Sequence, residues 1–176
     1  MKEIKVNTSD LKSIVPSLKV GDKISLSGTV YTARDAAHKR IFELLERKQK
    51  LPFPIENSVI YYAGPTPTPK GMSIGSCGPT TSCRMDPYSP TLYNLGLTAT
   101  IGKGERAKEV IDAIKNNGAV YLCAIGGAGA LAATSITSCE VIAFEDLGCE
   151  SVKKLTFKDF PLYVGIDSKG NSIFEN

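Results

Sequence analysis

Apolar positions along this chain change their period several times, and each change predicts an element. In "KISLSGTVYTA" (23–33), Ile24, Leu26, Gly28 and Val30 fall on one face, the alternation of a half-buried strand. The period then lengthens. In "TARDAAHKRIFELLERKQ" (32–49), Ala37, Ile41, Leu44 and Leu45 stand at helical spacing. Thr32 with Asp35 three residues on resembles a capping box, which puts Arg34 in the first helical turn. "NSVIYYAGP" (57–65) reads as a second strand. "ERAKEVIDAIKNNG" (105–118) reads as a helix with Ala107, Val110, Ile111 and Ile114 on one face and Gly118 as its C-cap. "AVYLCAI" (119–125) predicts a buried strand and "CEVIAFED" (139–146) another. "FKDFPLYVGIDSKGNSIFE" (157–175) predicts two short strands joined by a turn at "SKGN". No repeat, low-complexity tract or linker interrupts the series, so residues 1–176 read as one domain of mixed α/β class.

Two stretches carry no period at all. "GPTPTPKG" (64–71) alternates three prolines and reads as a stiff extended connector. "GPTTSCRMDPYSP" (78–90) cannot be a ladder strand, because Pro79, Pro87 and Pro90 lack amide donors. It is nonetheless dense in Thr80, Thr81, Ser82, Cys83, Arg84 and Asp86. Prolines that fix the backbone lower the entropy lost in holding such side chains in place. After it, "LYNLGLTATIGKG" (92–104) reads as a turn-rich approach to the second long helix.

Composition narrows the function. Of 176 residues 42% are hydrophobic, so a core can form without disulfide or metal staples. A net charge of +3, from 21 basic and 18 acidic residues, is too weak to argue for nucleic acid. No apolar run approaches the ~18 residues of a membrane span. "MKEIKVNTSDLKS" has charges where a signal peptide needs apolar residues, so the expected location is the cytoplasm. The five cysteines (Cys77, Cys83, Cys123, Cys139, Cys149) form no CxxC and His38 is the single histidine, which argues against a metal site on this chain. Buried small hydrophobes is the plain reading of the cysteines, with Cys83 set apart by its polar loop.

The helix dipole disfavours a cation in the first turn, so Arg34 there makes sense if an anion binds beside the free helix amides. A surface pair with Asp35 or Asp86 accounts for it equally well. Arg84 offers a planar fork suited to a carboxylate, with Asp86 able to orient it, and Lys103 in "IGKGER" adds a third cation. Together they suit a small dicarboxylate. His38, one turn after Arg34, reads first as a structural histidine. A competing motif lies in "AVYLCAIGGAGALAA" (119–133), where Gly127-x-Gly129-x-x-Ala132 follows a strand and Glu145 and Asp146 end the next. It matches a dinucleotide fingerprint, but the motif starts 50 residues before the last one and leaves too little chain for the usual companion elements. Small residues that let a helix pack closely on a sheet explain it as well.

"SGTVYTARDAAHKRI", "YYAGP", "GPTTSCRMD", "IGKGER" and "FPLYVGIDSKGNS", in this order from about residue 10 to residue 172, resemble the β subunit of class I fumarate hydratases and L-tartrate dehydratases. In single-chain members of that family the same region is the C-terminal domain. The resemblance implies a three-layer β/β/α swivelling domain and a hydro-lyase that reversibly hydrates fumarate to malate, or the tartrate counterpart. It implies a four-iron, four-sulfur cluster held by three cysteines of a separate α subunit, and an α2β2-type assembly. Carried over position by position, it implies substrate contacts at Arg34, Arg84 and Lys103 and a catalytic hydroxyl at Thr80. Asp35, Thr81, Asp86 and His38 are candidates to support them. The family motif most often reads GPTTAGRMD, and this chain has Ser82 and Cys83 in place of Ala and Gly. The other readings are a nucleotide-binding module and a non-catalytic regulatory domain.

Overall fold

A computed structural model describes residues 3–124 and 129–175. In chain order the strands and α-helices are β1 (Glu3–Asn7), α1 (Thr8–Ile14), β2 (Lys23–Thr32), α2 (Asp35–Glu46), β3 (Val59–Tyr61), α3 (Ser89–Asn94), β4 (Ala99–Gly102), α4 (Lys108–Asn117), β5 (Val120–Cys123), α5 (Gly129–Ala133), β6 (Ile136–Ala143) and β7 (Val152–Ile166). Strands β1 to β5 pair in sequence order and in parallel. The long strand β7 runs antiparallel to all its neighbours: β6 on one side of its first half, β5 beside its last residues, and β2 along most of its length. Because β7 touches both β5 and β2, the sheet β2-β3-β4-β5-β7 closes on itself.

That closure follows from local chemistry. The β2–β7 register shifts at Leu26/Gly28, where Gly28 has φ 111°. A side chain there would meet the Thr8 hydroxyl and the Asn7 side chain at the start of α1. Opposite, Asp159 takes φ 49°, with its amide donating to Ser27 Oγ at 2.9 Å. Such a bulge bends a strand and increases its twist, which lets β7 reach across.

The closed sheet separates two apolar layers. One face packs Leu26, Val30, Tyr61, Ile101, Leu122, Phe157 and Phe160 inside the sheet. The other packs Ile60, Tyr62 and Tyr121 against Ala37 and Ile41 of α2, Leu92 of α3, and Val110 and Ile114 of α4. Strands β3, β4 and β5 are buried at every residue, as parallel strands covered on both faces are.

Several expectations meet their elements: the strand at β2, the helices α2 and α4, the second strand β3, here three residues long, and the buried strand β5. Gly118 caps α4 in the left-handed region at φ 59°. Others are corrected. Thr32 is not a capping residue. It ends β2, and its hydroxyl accepts the Lys153 amide at 3.0 Å, so α2 starts at Asp35 with Arg34 as an N-cap that makes no side-chain cap bond. The "turn-rich approach" contains β4 and the second half of α3, whose first half, from Ser89, lies in the stretch read as the polar loop. The two short C-terminal strands are instead the single strand β7 followed by a turn, in which Asp167 accepts the amides of Lys169 and Asn171, and one isolated bridge, Ile166 to Ser172. The strand expected at 139–146 starts earlier, at Ile136, and β1 and α1 were not foreseen.

The dinucleotide reading loses its frame. Gly127 lies outside the described residues, but α5 spans five described residues and β6 pairs antiparallel with β7 instead of alongside β5. Gly129 serves close approach: its carbonyl accepts the Cys77 amide at 3.0 Å, and a side chain on it would start 2.9 Å from the Gly78 nitrogen and still nearer Ser76 Oγ. No helix among the described residues is long and apolar enough to cross a membrane.

Candidate functional site

Parallel strands deliver their following residues to one edge, and ligand crevices in open α/β sheets form at that carboxyl edge. Here β2 delivers Arg34, β3 delivers Tyr62 to Gly64, and β4 delivers Lys103. The polar loop 78–86 is laid across this edge. Thr80 donates its amide to the Tyr62 carbonyl at 2.7 Å, Thr81 bridges to Lys103, and the Ser82 amide donates to the Lys103 carbonyl at 2.9 Å. The loop therefore continues the sheet for two residues past the ends of β3 and β4, which fixes Thr80 and Lys103 relative to each other through the backbone.

Ser82 is the loop's buried anchor. The Tyr121 hydroxyl donates to the Gly104 carbonyl and accepts from Ser82 Oγ, both at 2.8 Å. Ser82 Oγ also occupies the place a side chain at Gly102 would take, which is why β4 must end in glycine. Residues Ser82–Met85 then make one 3-10 turn, with Met85 buried beneath it and Cys83 and Arg84 facing outward.

The second anchor was not legible in the sequence. Arg106, 7% exposed, donates from Nε to Asp86 at 2.7 Å, from Nη1 to Thr100 Oγ1 at 3.0 Å, and from Nη2 to Ser89 Oγ at 2.7 Å and Tyr62 OH at 3.1 Å. Its guanidinium also stands 4.8 Å and 5.2 Å from the Tyr121 and Tyr62 ring centroids. Burial alone would lower its pKa, but the tyrosines and Asp86 together hold it above the ordinary arginine value. Asp86 closes the knot by accepting the Ala107 amide at 2.8 Å, at the start of α4. Asp86 therefore holds Arg106 and not Arg84, against the expected pairing. Arg106 lies three residues from Lys103 in the quoted "IGKGER", but only the tertiary contacts separate it from an exposed cation.

Arg84 turns to Asp35. Two bonds, Nε to Oδ1 at 3.2 Å and Nη2 to Oδ2 at 2.6 Å, make a bidentate pair at the N-terminus of α2. Asp35 suits that position because a carboxylate in a first helical turn is favoured by the helix dipole. Since Asp35 follows Arg34 directly, the pair draws Arg84 toward Arg34. Arg34 itself packs on Gly64: a side chain at Gly64 would lie 2.9 Å from its Nη1. Its Nε is buried with no hydrogen-bond partner, and no carboxylate pairs with Arg34 or Lys103 among the described residues.

His38 stands behind Arg34. Its Nδ1 lies 2.8 Å from the Arg34 carbonyl, between the rings of Tyr62 and Tyr88. Burial is the main cause that lowers its pKa to about 4, outweighing the bond to Arg34, so the ring is neutral near pH 7 and donates from Nδ1. The other nitrogen, Nε2, is buried without a partner. The edge thus assembles Arg34, Thr80, Arg84 and Lys103, with Asp35, Thr81 and His38 in contact with their backbone or side chains.

Cys77 and Cys123 are buried, and burial pushes the Cys77 thiol up to about 12. Among the described residues no group of three or more His, Cys, Asp or Glu side chains is placed to hold a metal ion.

A matching set of cations at one strand edge is a chemical description. The comparison with known sequences gives it a lineage, because the fumarase C-terminus family matches residues 1–176. The chain belongs to the fumarase C-terminus family. Members similar to it include "Fumarate hydratase 2" of Leishmania major, 44% identical over 157 residues (88% of this chain, 28% of that protein). "Fumarate hydratase class I, aerobic" of Escherichia coli strain K12 is 41% identical over 170 residues, 94% of this chain and 31% of that protein. The chain thus spans under a third of the length of these fumarate hydratases. "Putative L(+)-tartrate dehydratase subunit beta" of Methanocaldococcus jannaschii is 43% identical over 170 residues and is covered over 87% of its length. That relative is about the size of this chain.

Proposed function

We propose that this chain is the β subunit of a hydro-lyase that reversibly adds water to fumarate to give malate. In this reading residues 1–176 are one swivelling domain of three layers, β/β/α, and the chain works with a larger α subunit in an α2β2-type assembly. The observation that supports the proposal is that, in a member of this family, the segments bearing Arg34, Thr80 and Lys103 leave or line the carboxyl edge of β2, β3 and β4, with Arg84 tied to Asp35 beside Arg34. Three cations and a hydroxyl carried to one strand edge suit a substrate with two carboxylates.

The reaction asks for specific work from these side chains. In the dehydration direction a proton leaves the carbon next to the hydroxyl-bearing one, and the electron pair delocalises into the adjacent carboxylate. That pair then forms the double bond as the C–O bond breaks and the hydroxyl, protonated by an acid of the α subunit, leaves as water. Arginine and lysine donors fixed before the reaction stabilise that growing charge without reorganising. Asp35 takes Nε and one Nη2 hydrogen of Arg84 and so orients the guanidinium, leaving its Nη1/Nη2 edge to donate to a substrate carboxylate. Thr80 takes the proton or relays it. An alcohol is a weak base, and a nearby ammonium or guanidinium favours its alkoxide. Arg34 has no carboxylate partner among the described residues, so an incoming carboxylate meets a cation that is not already neutralised.

The four-iron, four-sulfur cluster of this reading does not fit the side chains described here, since they offer no ligand set. We assign it to the α subunit and derive no step through it. Tartrate is the second substrate reading, favoured by the similarity to a tartrate dehydratase β subunit of comparable length.

Co-purification with a cluster-bearing α subunit under anaerobic conditions, followed by fumarate and tartrate assays, tests the proposal. Fumarate turnover is expected, with Thr80→Ala lowering kcat by at least ~100-fold and Arg84→Ala raising KM. Full activity in both variants would overturn the site, and turnover of tartrate alone would replace the substrate.

A further inference from the structure

The segment that links β6 to β7 touches the candidate site from behind, and the proposed chemistry leaves its polar groups unused. Residues Glu145–Glu150 form a 3-10 stretch broken at Gly148, which takes φ 60° and ψ −121°. Two of its carboxylates reach α2. Asp146 pairs with Arg40 through bonds of 2.7 Å and 2.5 Å, and Glu150 Oε1 accepts the Ala36 amide at 3.2 Å. Beside them the Cys149 carbonyl oxygen lies 3.0 Å from where a Gly64 side chain would start, the same point from which Arg34 Nη1 is 2.9 Å and Arg34 Cδ 3.0 Å. Gly64, the Arg34 side chain and the Cys149 carbonyl therefore enclose one small volume.

The turn is held from below by Lys153. This residue is 7% exposed, and its Nζ donates to the carbonyls of Cys149 and Ser151 at 3.0 Å each, to Ser151 Oγ at 2.8 Å and to the Gly148 carbonyl at 3.4 Å. No carboxylate pairs with it among the described residues. A buried ammonium ringed by carbonyl oxygens fixes the path of the backbone that supplies them.

Helix α2 has a reason to recruit a remote carboxylate. The first amides of a helix need an acceptor, usually a Ser, Thr, Asn or Asp side chain at the N-cap. Here the N-cap is Arg34, whose side chain has donors only. Glu150, 114 residues away in sequence, supplies the missing acceptor. We propose that Glu150 is a positioning residue for Arg34: it caps α2 in place of the arginine and, with Lys153, fixes the turn whose Cys149 carbonyl bounds the space where the Arg34 guanidinium lies. This rests on the reading of Arg34 as a carboxylate-binding residue.

The test uses the assembled α–β complex with Glu150→Ala, Glu150→Gln, Lys153→Met and Arg34→Ala, read by steady-state kinetics and by amide hydrogen exchange of the first turn of α2. Glu150→Ala is expected to raise KM for the dicarboxylate about tenfold, in line with a lost helix cap, while kcat stays within about twofold. Exchange at residues 35–38 is expected to accelerate. Glu150→Gln keeps an acceptor oxygen and is expected to restore KM, whereas Lys153→Met shifts KM in the same direction as Glu150→Ala. If Arg34→Ala raises KM and Glu150→Ala does not, the positioning role is overturned and the binding role of Arg34 stands. If Arg34→Ala itself leaves KM unchanged, both fall. A lower melting temperature in Glu150→Ala with unaltered KM also overturns the proposal.

Discussion

Replacing Arg106 with methionine is the most direct probe of how the loop 78–86 is held. Methionine keeps much of the apolar stem between Tyr62 and Tyr121 but removes all four donated bonds. The hydroxyls lose little, because Tyr62 and Ser89 still bond each other at 2.8 Å and Tyr93 still bonds Thr100 at 2.8 Å. The loss therefore concentrates on Asp86, whose side chain is 11% exposed and keeps one partner, the Ala107 amide. Removing one member of a buried ion pair costs about 3–5 kcal/mol, and the surviving amide bond argues for the lower end. At ~3 kcal/mol, a chain of this size loses about 6–12 °C in Tm. Urea unfolding of Arg106→Met, Asp86→Asn and the double variant measures this directly. The double variant removes the orphaned charge, so it is expected to be more stable than the sum of the single losses predicts by at least ~1.5 kcal/mol. A single-variant loss below ~1 kcal/mol, or strict additivity, would refute the account of Arg106 and Asp86 as a coupled anchor.

Two further outcomes follow from burial. His38 has its folded-state pKa lowered from 6.5 to about 4, so between these values the unfolded chain binds the extra proton and the folded chain does not. The stability it contributes is complete above pH 6.5 and falls as pH drops toward 4, by about 2 kcal/mol between pH 7 and 5. Chemical denaturation at both pH values is expected to show that difference in the parent chain and a flatter response in His38→Gln; equal slopes would contradict it. Among the thiols, Cys83 and Cys149 are exposed while Cys77 and Cys123 are buried. A thiol reagent followed by peptide mapping is expected to label Cys83 and Cys149 in the native chain, and Cys77 and Cys123 only after unfolding. Early labelling of Cys77 would count against its burial.

The parts of the fold that were legible are those in which one element's own residues decide the outcome. The alternation in 23–33, the helical spacing through Ile41 and Ile114, and Gly118 at a helix end are local signals, and the elements stand where those signals fall. Signals that look local but have remote partners misled. Thr32 has a capping residue's chemistry, yet its hydroxyl goes to β7, a strand more than a hundred residues away. The glycine-rich stretch before α5 has a fingerprint's spacing, yet Gly129 serves contact with residues 76–78. Short elements such as β4, with four residues, have too few positions to establish a period, and their identity comes from neighbours already in the sheet.

The sequence by itself determined that residues 78–90 are polar, proline-bounded and not a strand, that Arg34, Arg84 and Lys103 are cations beside Gly- and Pro-bounded turns, and which family motifs the chain resembles. That the segment holds a 3-10 turn and the start of α3 came from the structure. Only the tertiary structure decided who holds whom: Arg84 with Asp35, Arg106 with Asp86, Glu150 with the start of α2. The reason is physical. A charged side chain carries its donors and acceptors in its covalent structure, so its capacity can be read from one letter. Its partner is set by the closure of the sheet, which brings segments twenty to more than a hundred residues apart within hydrogen-bond distance. Those pairings decide which cations are buried as anchors, as Arg106 is, and which are oriented at the strand edge, as Arg84 is.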